Sequence, residues 1–267
     1  MAASRDPAAT REFAAAAALA SRLADAAGGV IQGYFRRTYA IEDKADESPV
    51  TIADRESEAV MRRLIGEAFP HHGIVGEEYG VERADAEFVW VLDPIDGTKS
   101  FICGVPLFGT LIALLHHGRS VVGIIDQPIS RERWLGIEGA PSTLNGAPIR
   151  TRGCASVAEA TLFATGPEMF KGPDKATWER VSNAVKLRRY GADCYAYGLL
   201  ASGFCDVIVE ADLKPYDYCA QVPIIAGAGG LVTDWQGNPA GLGGDGRIIA
   251  AGDPKLHAEM VVLINQS

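Results

Sequence analysis

The spacing of apolar and polar residues predicts two helices in the N-terminal part of the chain. Between residues 10 and 37, alanines and larger apolar residues recur at intervals of three and four, the period of one long amphipathic helix. A polar, extended segment follows over residues 38–50. A second apolar stripe predicts a helix over residues 52–69, and Pro70 ends it.

Short apolar runs bounded by turn residues predict strands after these helices. The predicted strands of this region are residues 73–75, 88–92, 110–116, 121–126 and 133–137. The last three are expected to form an antiparallel sheet, with turns at His117-Gly118 and Ile129-Ser130. Leu144-Asn145-Gly146 is a further turn signal.

Beyond about residue 155 the pattern changes to strands that alternate with helices, which is typical of an α/β arrangement. The predicted strands are residues 161–164, 187–190, 207–210, 231–233 and 248–251. The predicted helices are residues 175–185, 194–202, 216–227 and 254–265. We expect one compact domain over residues 1–267, with an N-terminal α+β half (1–153) that contains the antiparallel sheet and a C-terminal α/β half (154–267).

Composition and charge limit the class of partner. Of 267 residues, 48% are hydrophobic and 22% charged, an ordinary globular mixture, and the net charge is −9. An acidic protein is poorly suited to nucleic acid or to an anionic membrane, since both attract clusters of Lys and Arg. A small anionic substrate remains compatible, because a bound metal ion can reverse the local field.

The cysteines and the N-terminal apolar run bear on the compartment. The chain has five cysteines, without CxxC spacing and odd in number, which predicts reduced thiols. The apolar run over residues 13–20 is mostly alanine and too short to span a bilayer. We therefore expect a cytoplasmic protein without a membrane segment.

Asp93 and Asp96 carry the most informative chemistry. The predicted strand ends at Leu92, and Pro94 and Gly97 bend the chain, so that two carboxylates and the carbonyl of Ile95 can converge. Such an oxygen-only set suits Mg²⁺, and the absence of His and Cys from it argues against zinc. An Asx-turn with Asp96 capping a following helix is the structural alternative.

Three further acidic groups also have ordinary structural explanations. Glu77 and Glu78 occupy a loop flanked by glycine, where charged residues are commonly solvated. Asp54 fits the third position of a helix capping box that begins at Thr51. Asp217 opens a predicted helix, where an acidic residue is favourable with the helix dipole.

Taken together and in this order, these segments resemble the inositol monophosphatase family. The segments that carry the resemblance are Glu77-Glu78, Trp90-Val91-Leu92-Asp93-Pro94-Ile95-Asp96-Gly97-Thr98 and Lys214-Pro215-Tyr216-Asp217. The resemblance covers almost the whole chain, and Asp-Pro-Ile-Asp-Gly-Thr is highly specific to the family. Tyr216 departs from the pattern, since many members have tryptophan there, but the neighbouring aspartate carries the metal role.

The resemblance implies an α/β (α+β) fold, a layered αβαβα sandwich of the inositol monophosphatase and fructose-1,6-bisphosphatase type, in a Mg²⁺-dependent phosphatase that is commonly a homodimer. It implies that Glu77, Asp93 and the Ile95 carbonyl hold a first metal ion. Asp93, Asp96 and Asp217 would hold a second ion, and Glu77 would touch a third, weaker one, giving two to three Mg²⁺ ions per site.

The resemblance also implies the catalytic roles. Gly97 and Thr98 would bind the phosphate, and Asp54 would orient water or a metal ligand. A metal-activated water, helped by Thr98 and Glu77, would attack directly without a phosphoenzyme. Lys44 either contacts the phosphate or is solvated.

The resemblance implies that the substrate is a small phosphate ester, and residues 189–203, 209–210 and 212–218 resemble the histidinol-phosphatase branch. Histidinol phosphate carries an ammonium group and an imidazole, which Asp193 and Glu210 would favour beside Asp217. Alternatively, Glu210 accepts hydrogen bonds from inositol hydroxyls, and Asp193 caps the predicted helix that starts at Cys194. An inositol-1-phosphate, sugar or nucleotide phosphatase, and a non-catalytic metal-binding regulatory relative, are the other hypotheses.

Overall fold

The computed structural model describes residues 7–38, 41–43 and 49–266. Lys44 lies outside this range. Within the described residues the α-helices are α1 Pro7–Tyr34, α2 Ile52–Ala68, α3 Thr98–Ile102, α4 Asp174–Ala184, α5 Tyr195–Ala201, α6 Pro215–Tyr218, α7 Gln221–Ala228 and α8 Pro254–Ile264. Two short 3₁₀ helices, Val157–Glu159 and Pro167–Met169, lie in connections.

A small ribbon and a large sheet account for the first ten strands. The ribbon pairs β1 Ile41–Asp43 with β2 Pro49–Thr51. The strands of the large sheet are β3 Gly73–Gly76, β4 Gly80–Glu82, β5 Phe88–Asp96, β6 Gly109–His116, β7 Arg119–Gln127, β8 Glu132–Ile137, β9 Thr143–Leu144 and β10 Ala147–Pro148. Their order is β10-β9-β8-β7-β6-β5-β3-β4, and only the β3–β5 pair is parallel among these described strands.

The turns of the large sheet confirm two sequence predictions. His117 and Gly118 have φ angles of 49° and 76°, and Asn145 and Gly146 have 50° and 81°. Two consecutive positive φ angles define the tight hairpin turn whose twist matches that of the strands it joins. These turns connect β6 to β7 and β9 to β10.

The second sheet lies in the C-terminal part of the chain. Its strands are β11 Thr161–Ala164, β12 Leu187–Tyr190, β13 Val207–Glu210, β14 Leu231–Asp234 and β15 Ile248–Ala251. Their order is β12-β11-β13-β15-β14. The first three strands are parallel, and β15 runs antiparallel to both of its neighbours, so the sheet is mixed.

The helices and sheets form five layers, held together by three apolar clusters. This arrangement confirms the predicted αβαβα sandwich. Helices α1 and α2 cover one face of the large sheet. Helices α5, α6 and α7 fill the space between the two sheets. Helices α4 and α8 cover the outer face of the small sheet. Apolar burial of this kind contributes roughly 25 cal/mol per Å², which makes these interfaces the main source of stability.

Helix α1 is long and apolar enough over Arg11–Tyr34 to cross a membrane, judged by length and composition alone. Half of its apolar stretch is buried inside the protein. Leu19, Leu23 and Ile31 face the core between α2 and the large sheet. The amphipathic helix predicted from the sequence therefore serves as a core helix in this fold.

One predicted strand end and one predicted continuous helix are wrong. Strand β5 does not end at Leu92 but continues to Asp96, where Asp93 pairs with Leu111 and Asp96 with Gly109. The pairing is irregular between these two positions, which accommodates Pro94. The helix predicted over residues 216–227 is two helices, α6 and α7, separated by a turn.

Candidate active site

Three carboxylates from two elements meet at the end of β5. Asp93 and Asp96 come from that strand, and Asp217 comes from α6. One carboxylate oxygen of each lies within 4.8 Å of the others. Asp93 is buried, and the other two are partly exposed, so the group can be reached from one side.

Each of these carboxylates is held by a backbone amide. The amide of Ile95 donates to Oδ1 of Asp93 at 3.0 Å, the Asx-turn considered from the sequence. Cys194 donates to Oδ2 of Asp96 at 2.6 Å, and Lys214 donates to Oδ2 of Asp217 at 2.6 Å. Because one oxygen of each carboxylate is fixed in this way, the other is oriented for a ligand.

The other part of that structural alternative is wrong, because Asp96 does not cap the following helix. Helix α3 has Gly97 as its N-cap residue, with no capping side chain. Gly97 has a φ of 84°, and a Cβ there would lie 2.7 Å from Oδ2 of Asp193. The hydroxyl of Thr98 donates to the Ile95 carbonyl at 3.1 Å, and that carbonyl retains a second lone pair.

Glu77 lies in the turn after β3 and faces the same group. Its amide donates to the carbonyl of Leu92 at 3.2 Å, which ties the turn to β5. Burial is the main cause of the raised pKa values of Asp54, Asp93 and Asp217, and the charge of Glu77 raises all three further. Its charge therefore acts on the acidic group, although Glu77 is not one of the three described carboxylates that lie within 4.8 Å of one another, and its role as a metal ligand stays a prediction.

Asp54 completes the capping box predicted at the start of α2. Its Oδ2 accepts from the amide of Thr51 at 2.8 Å and from the Thr51 hydroxyl. Its Oδ1 is buried and accepts no hydrogen bond from the described residues. Burial, with Glu77 adding repulsion, raises the pKa of Asp54 to about 6. An oriented but unpaired buried oxygen is a place for a water molecule or another ligand.

The electrostatics of the group call for a cation. Burial and mutual repulsion raise the pKa values of Asp93 and Asp96 well above the ordinary range. Burial raises the pKa of Asp217 to about 7. Over the described part of the chain, no Lys or Arg forms an ion pair with these three. Closely spaced oxygen donors without a neutralising side chain fit a hard divalent ion such as Mg²⁺.

Asp193 and Glu210 extend the acidic surface beyond the metal-binding group. Asp193 has a φ of 44°, and its Oδ2 accepts from the Ser100 hydroxyl at 2.6 Å. Helix α5 has no side-chain cap, so the hypothesis that Asp193 caps it is wrong. The charge of Asp193 raises the pKa of Asp96 and of Glu210.

Glu210 is buried and already engaged by the protein. Its Oε1 accepts from the Thr165 amide at 2.8 Å and from the Thr165 hydroxyl at 2.6 Å. Its Oε2 accepts from the Tyr197 hydroxyl at 2.7 Å. Because a carboxylate oxygen can accept two hydrogen bonds, Oε2 has capacity for one more donor.

Glu58 is a site residue that the sequence reasoning missed. It is fully buried on α2, and its carboxylate accepts from the amides of Glu78 at 2.7 Å and Tyr79 at 3.1 Å. Arg62, one turn later, pairs with it at 2.7 Å. Glu58 therefore fixes the turn that carries Glu77. Its buried position four residues after Asp54 on one helix face was the available signal.

Cys194 and Cys219 are buried free thiols and do not provide a nucleophile. Burial raises the pKa of Cys194, the cysteine nearest the acidic group, well above its ordinary value. Burial also raises the pKa of Cys219 to about 12. Because the thiolate is the reactive form, these side chains are inert at neutral pH.

A layered αβαβα sandwich with an oxygen-only carboxylate group at a strand end places the chain among the metal-dependent phosphatases. Residues 13–267 match the inositol monophosphatase family model, and the chain belongs to this family. It is a phosphoric monoester hydrolase.

Named relatives and a solved structure agree with this assignment. The chain is 49% identical to the bifunctional phosphatase IMPL2, chloroplastic, of Arabidopsis thaliana, over 91% of this chain and 73% of the relative. It is 36% identical to a histidinol-phosphatase of Chlorobaculum parvum, over 87% of this chain and 90% of that relative. The structure of an inositol monophosphatase from Zymomonas mobilis superposes with a TM-score of 0.88 at 43% identity, over 98% of this chain and 100% of that one.

Proposed function

We propose that this protein hydrolyses L-histidinol phosphate to L-histidinol and phosphate with Mg²⁺. The observation that carries the proposal is the pair of carboxylates, Asp193 and Glu210, beside the metal-binding group. Histidinol phosphate presents an ammonium group on the side of the leaving alcohol. A charge-assisted hydrogen bond from that ammonium to a carboxylate is about twice as strong as a neutral one.

The relatives support the same substrate. Three proteins named histidinol-phosphatase are 32–36% identical to this chain over most of their lengths. Glu210 is consistent with this substrate, since its Oε2 has capacity for one donor besides Tyr197 and would accept from the ammonium group. The extra negative charge around Asp193 favours a cationic leaving group over a neutral polyol.

Metal binding and water activation fall to different residues of the site. Asp93, Asp96, Asp217, Glu77 and the Ile95 carbonyl would hold the metal ions. Mg²⁺ supplies positive charge at the phosphate and acidifies water. Asp54, fixed by Thr51, offers Oδ1 to the attacking water.

The phosphate has its own contacts in this proposal. Gly97 lets the chain turn into α3 without a side chain, so backbone amides there can reach phosphate oxygens. The Thr98 hydroxyl lies beside the Ile95 carbonyl, and Glu77 would accept the proton that the attacking water loses. In this proposal a water molecule attacks the phosphate directly, and the buried thiol of Cys194, whose pKa is raised well above its ordinary value by burial, does not act as a nucleophile.

Inositol 1-phosphate is the second candidate substrate. The inositol monophosphatase from Zymomonas mobilis is 43% identical and matches the whole fold. The remaining lone pair of Glu210 Oε2 would accept a hydroxyl as well as an ammonium donor.

Phosphate release from the two esters at equal Mg²⁺ tests the proposal. We expect kcat/KM for L-histidinol phosphate to exceed that for inositol 1-phosphate at least about a hundredfold, a difference of ~2.7 kcal/mol. The reverse preference would refute the substrate assignment and leave the phosphatase assignment intact.

Asp193→Asn provides the matched variant. It removes the charge and keeps an oxygen that can accept from Ser100. We expect it to reduce kcat/KM for L-histidinol phosphate about tenfold and to leave that for inositol 1-phosphate nearly unchanged. Equal losses on both esters would show that Asp193 acts in folding or in the common chemistry.

A further inference from the structure

Four of the five histidines lie on one face of the molecule, far from the acidic group. His71 and His72 follow α2, and His116 and His117 stand at the turn between β6 and β7. Glu87, directly before β5, lies among them. The phosphatase chemistry proposed above uses none of these residues.

We propose that Glu87, His116 and His117 form a binding site for a transition-metal ion such as Zn²⁺. Nε2 of His116 lies 3.1 Å from Oε1 of Glu87, and Nε2 of His117 lies 3.6 Å from the same oxygen. One ligand atom from each of the three residues lies within 4.8 Å of the others. Zinc bonds of about 2.0–2.1 Å in a tetrahedron place ligand atoms about 3.3 Å apart, between the two observed distances.

The backbone brings these three residues together. Phe88 pairs with His116 across β5 and β6, and the amide of His117 donates to the carbonyl of Glu87 at 2.9 Å. His117 has a φ of 49°, which is uncommon for a residue other than glycine but is required by this turn. The sheet and its hairpin turn therefore set the backbone positions of the three residues.

Ring stacking orients the partly buried ligand. The His116 ring lies 4.6 Å from the Phe88 ring at an interplanar angle of 12°, and Phe13 meets it edge-on at 5.8 Å. The His117 ring lies 4.3 Å from the His116 ring. The side chains of Glu87 and His117 are 60% and 70% exposed, so an ion can enter from solvent.

The neighbouring His72 is already committed to other partners. Its Nδ1 accepts from the indole nitrogen of Trp90 at 3.1 Å, and its Nε2 faces Oε1 of Glu12 at 3.5 Å. His72 is also buried between Phe69 and Phe88. The site therefore has three protein ligands and leaves a position for water, a composition typical of an open zinc site.

This site is chemically and spatially separate from the acidic group. Asp93 and Asp96 lie five and eight residues after Phe88 along β5, which places the two sites about 17–26 Å apart. Two imidazoles and one carboxylate select zinc or copper, whereas oxygen-only donors select magnesium. Both sites can therefore be occupied at once.

Isothermal titration of the full chain with ZnCl₂ in excess MgCl₂ tests the proposal. We expect one Zn²⁺ per chain, with affinity reduced at least about tenfold in His117→Asn and in Glu87→Gln. Asparagine suits the positive φ of this turn, so His117→Asn should fold and retain its phosphatase activity. Asp93→Asn, at the other site, should bind Zn²⁺ here as the unaltered protein does.

His71→Ala is the matched control, because His71 is exposed on the same face but outside the group of three. It should bind Zn²⁺ normally. Unchanged binding in His117→Asn, or loss of binding in Asp93→Asn, would overturn the proposal. As a second measurement, Cu²⁺ bound here should show nitrogen couplings from two imidazoles by electron paramagnetic resonance, and from one in His117→Asn.

Discussion

Each of four acidic residues at the site has one carboxylate oxygen held in place by hydrogen bonds from the protein. A backbone amide fixes one oxygen in each of Asp93, Asp96 and Asp217, and Thr51 fixes one oxygen of Asp54. The opposite oxygens face a region where like charges accumulate. This division of each carboxylate orients ligand atoms in advance, so little rearrangement is needed when a cation binds.

Asp93→Asn tests the role of the buried carboxylate. We expect the variant to lose at least about a thousandfold in kcat, ~4 kcal/mol of transition-state stabilisation. In the metal-free protein, its melting temperature should equal or exceed that of the unaltered chain, because one of several repelling charges is gone. Phosphate release and thermal denaturation in EDTA check both effects.

The control for Asp93→Asn is Asp85→Asn, which alters an exposed carboxylate outside the site. It should leave both activity and stability unchanged. A metal-free melting temperature that falls in Asp93→Asn would show that this carboxylate stabilises the fold.

Glu58→Gln tests the residue that holds the turn carrying Glu77. Glutamine loses the charge that attracts two turn amides and Arg62, so Glu77 is less well placed. We expect kcat to fall about 10- to 100-fold, and more Mg²⁺ to be needed for half-maximal activity. Activity measured over a range of Mg²⁺ concentrations separates this effect from simple loss of folded protein.

Glu67→Gln is the matched control for that experiment. Glu67 lies on the same helix and pairs with Arg63 at 2.8 Å, but both side chains are exposed. Its loss should leave the Mg²⁺ requirement unchanged. Equal effects of the two substitutions would mean that Glu58 acts only through the stability of α2.

At the level of elements, α7 packs so closely on the large sheet that side chains are excluded. A Cβ on Gly123 of β7 would lie 2.0 Å from the carbonyl oxygen of Ala220. A Cβ on Gly136 of β8 would lie 2.4 Å from the amide nitrogen of Ile224. This contact holds the α6–α7 segment, and with it Asp217, against the sheet that carries Asp93 and Asp96.

Gly136→Ala should therefore weaken both the fold and the metal site. The added methyl group displaces α7, at a cost of roughly 1–3 kcal/mol in the free energy of unfolding. The Mg²⁺ concentration for half-maximal activity should rise, because Asp217 moves with the segment. Urea denaturation and Mg²⁺ titration measure the two effects.

Gly66→Ala is the opposite case on α2. Gly66 is exposed, and apart from the adjoining helix backbone no atom lies within 4 Å of the position that an added methyl group would take. Alanine should stabilise the helix by about 0.5–1 kcal/mol without affecting Mg²⁺. A loss of Mg²⁺ affinity in this variant would contradict the local explanation given for Gly136→Ala.

Elements with strong local signals were predictable, and those governed by distant pairing were not. The strands at 161–164, 187–190, 207–210 and 248–251 match the predicted ranges. Strand β5 was predicted too short because Pro94 suggested a stop, whereas pairing with β6 extends it. The break before α7 had a local signal, since Pro223 lacks the amide that would bond to Cys219 in a continuous helix.

The site was predictable from the sequence only as far as its recognisable motifs. Asp93, Asp96 and Asp217 were named from the sequence, and the structure brings them together. Glu58 was missed because the amides it holds lie twenty residues away in the chain. The engagement of Glu210 by Thr165 and Tyr197 likewise depends on tertiary contacts.

For the whole molecule, pH and Mg²⁺ should act on stability together. Burial raises the pKa of Asp217 to about 7 and of Asp54 to about 6. The folded, metal-free protein therefore binds more protons than the unfolded chain between about pH 4 and 7, and loses stability as pH rises through this range. Mg²⁺ binds the deprotonated form, so it should raise the melting temperature more at pH 8 than at pH 6.

Thermal denaturation with EDTA or Mg²⁺ at both pH values checks this expectation. Burial lowers the pKa values of His72 and His257, whose protonation destabilises the fold below about pH 6.5. That effect is the same with and without Mg²⁺ and cancels in the difference. An equal Mg²⁺ effect at pH 6 and pH 8 would contradict the prediction.

The homodimer implied by the family resemblance stays a prediction about the whole molecule. Size-exclusion chromatography with light scattering should give twice the chain mass of 28.3 kDa. A mass equal to that of one chain at micromolar concentration would refute it.

The irregular pairing in β5 limits which mutations this segment of the chain can accept during evolution. Asp93 pairs with Leu111 and Asp96 with Gly109, so three steps along β5 match two along β6. Neighbouring side chains of a regular strand alternate between faces, and the extra residue places both aspartates on one face. Gain or loss of a single codon between them would turn one carboxylate away, whereas a changed side chain at Ile95 keeps the carbonyl. Evolution can therefore substitute residues in this segment but cannot change the number of residues between Asp93 and Asp96.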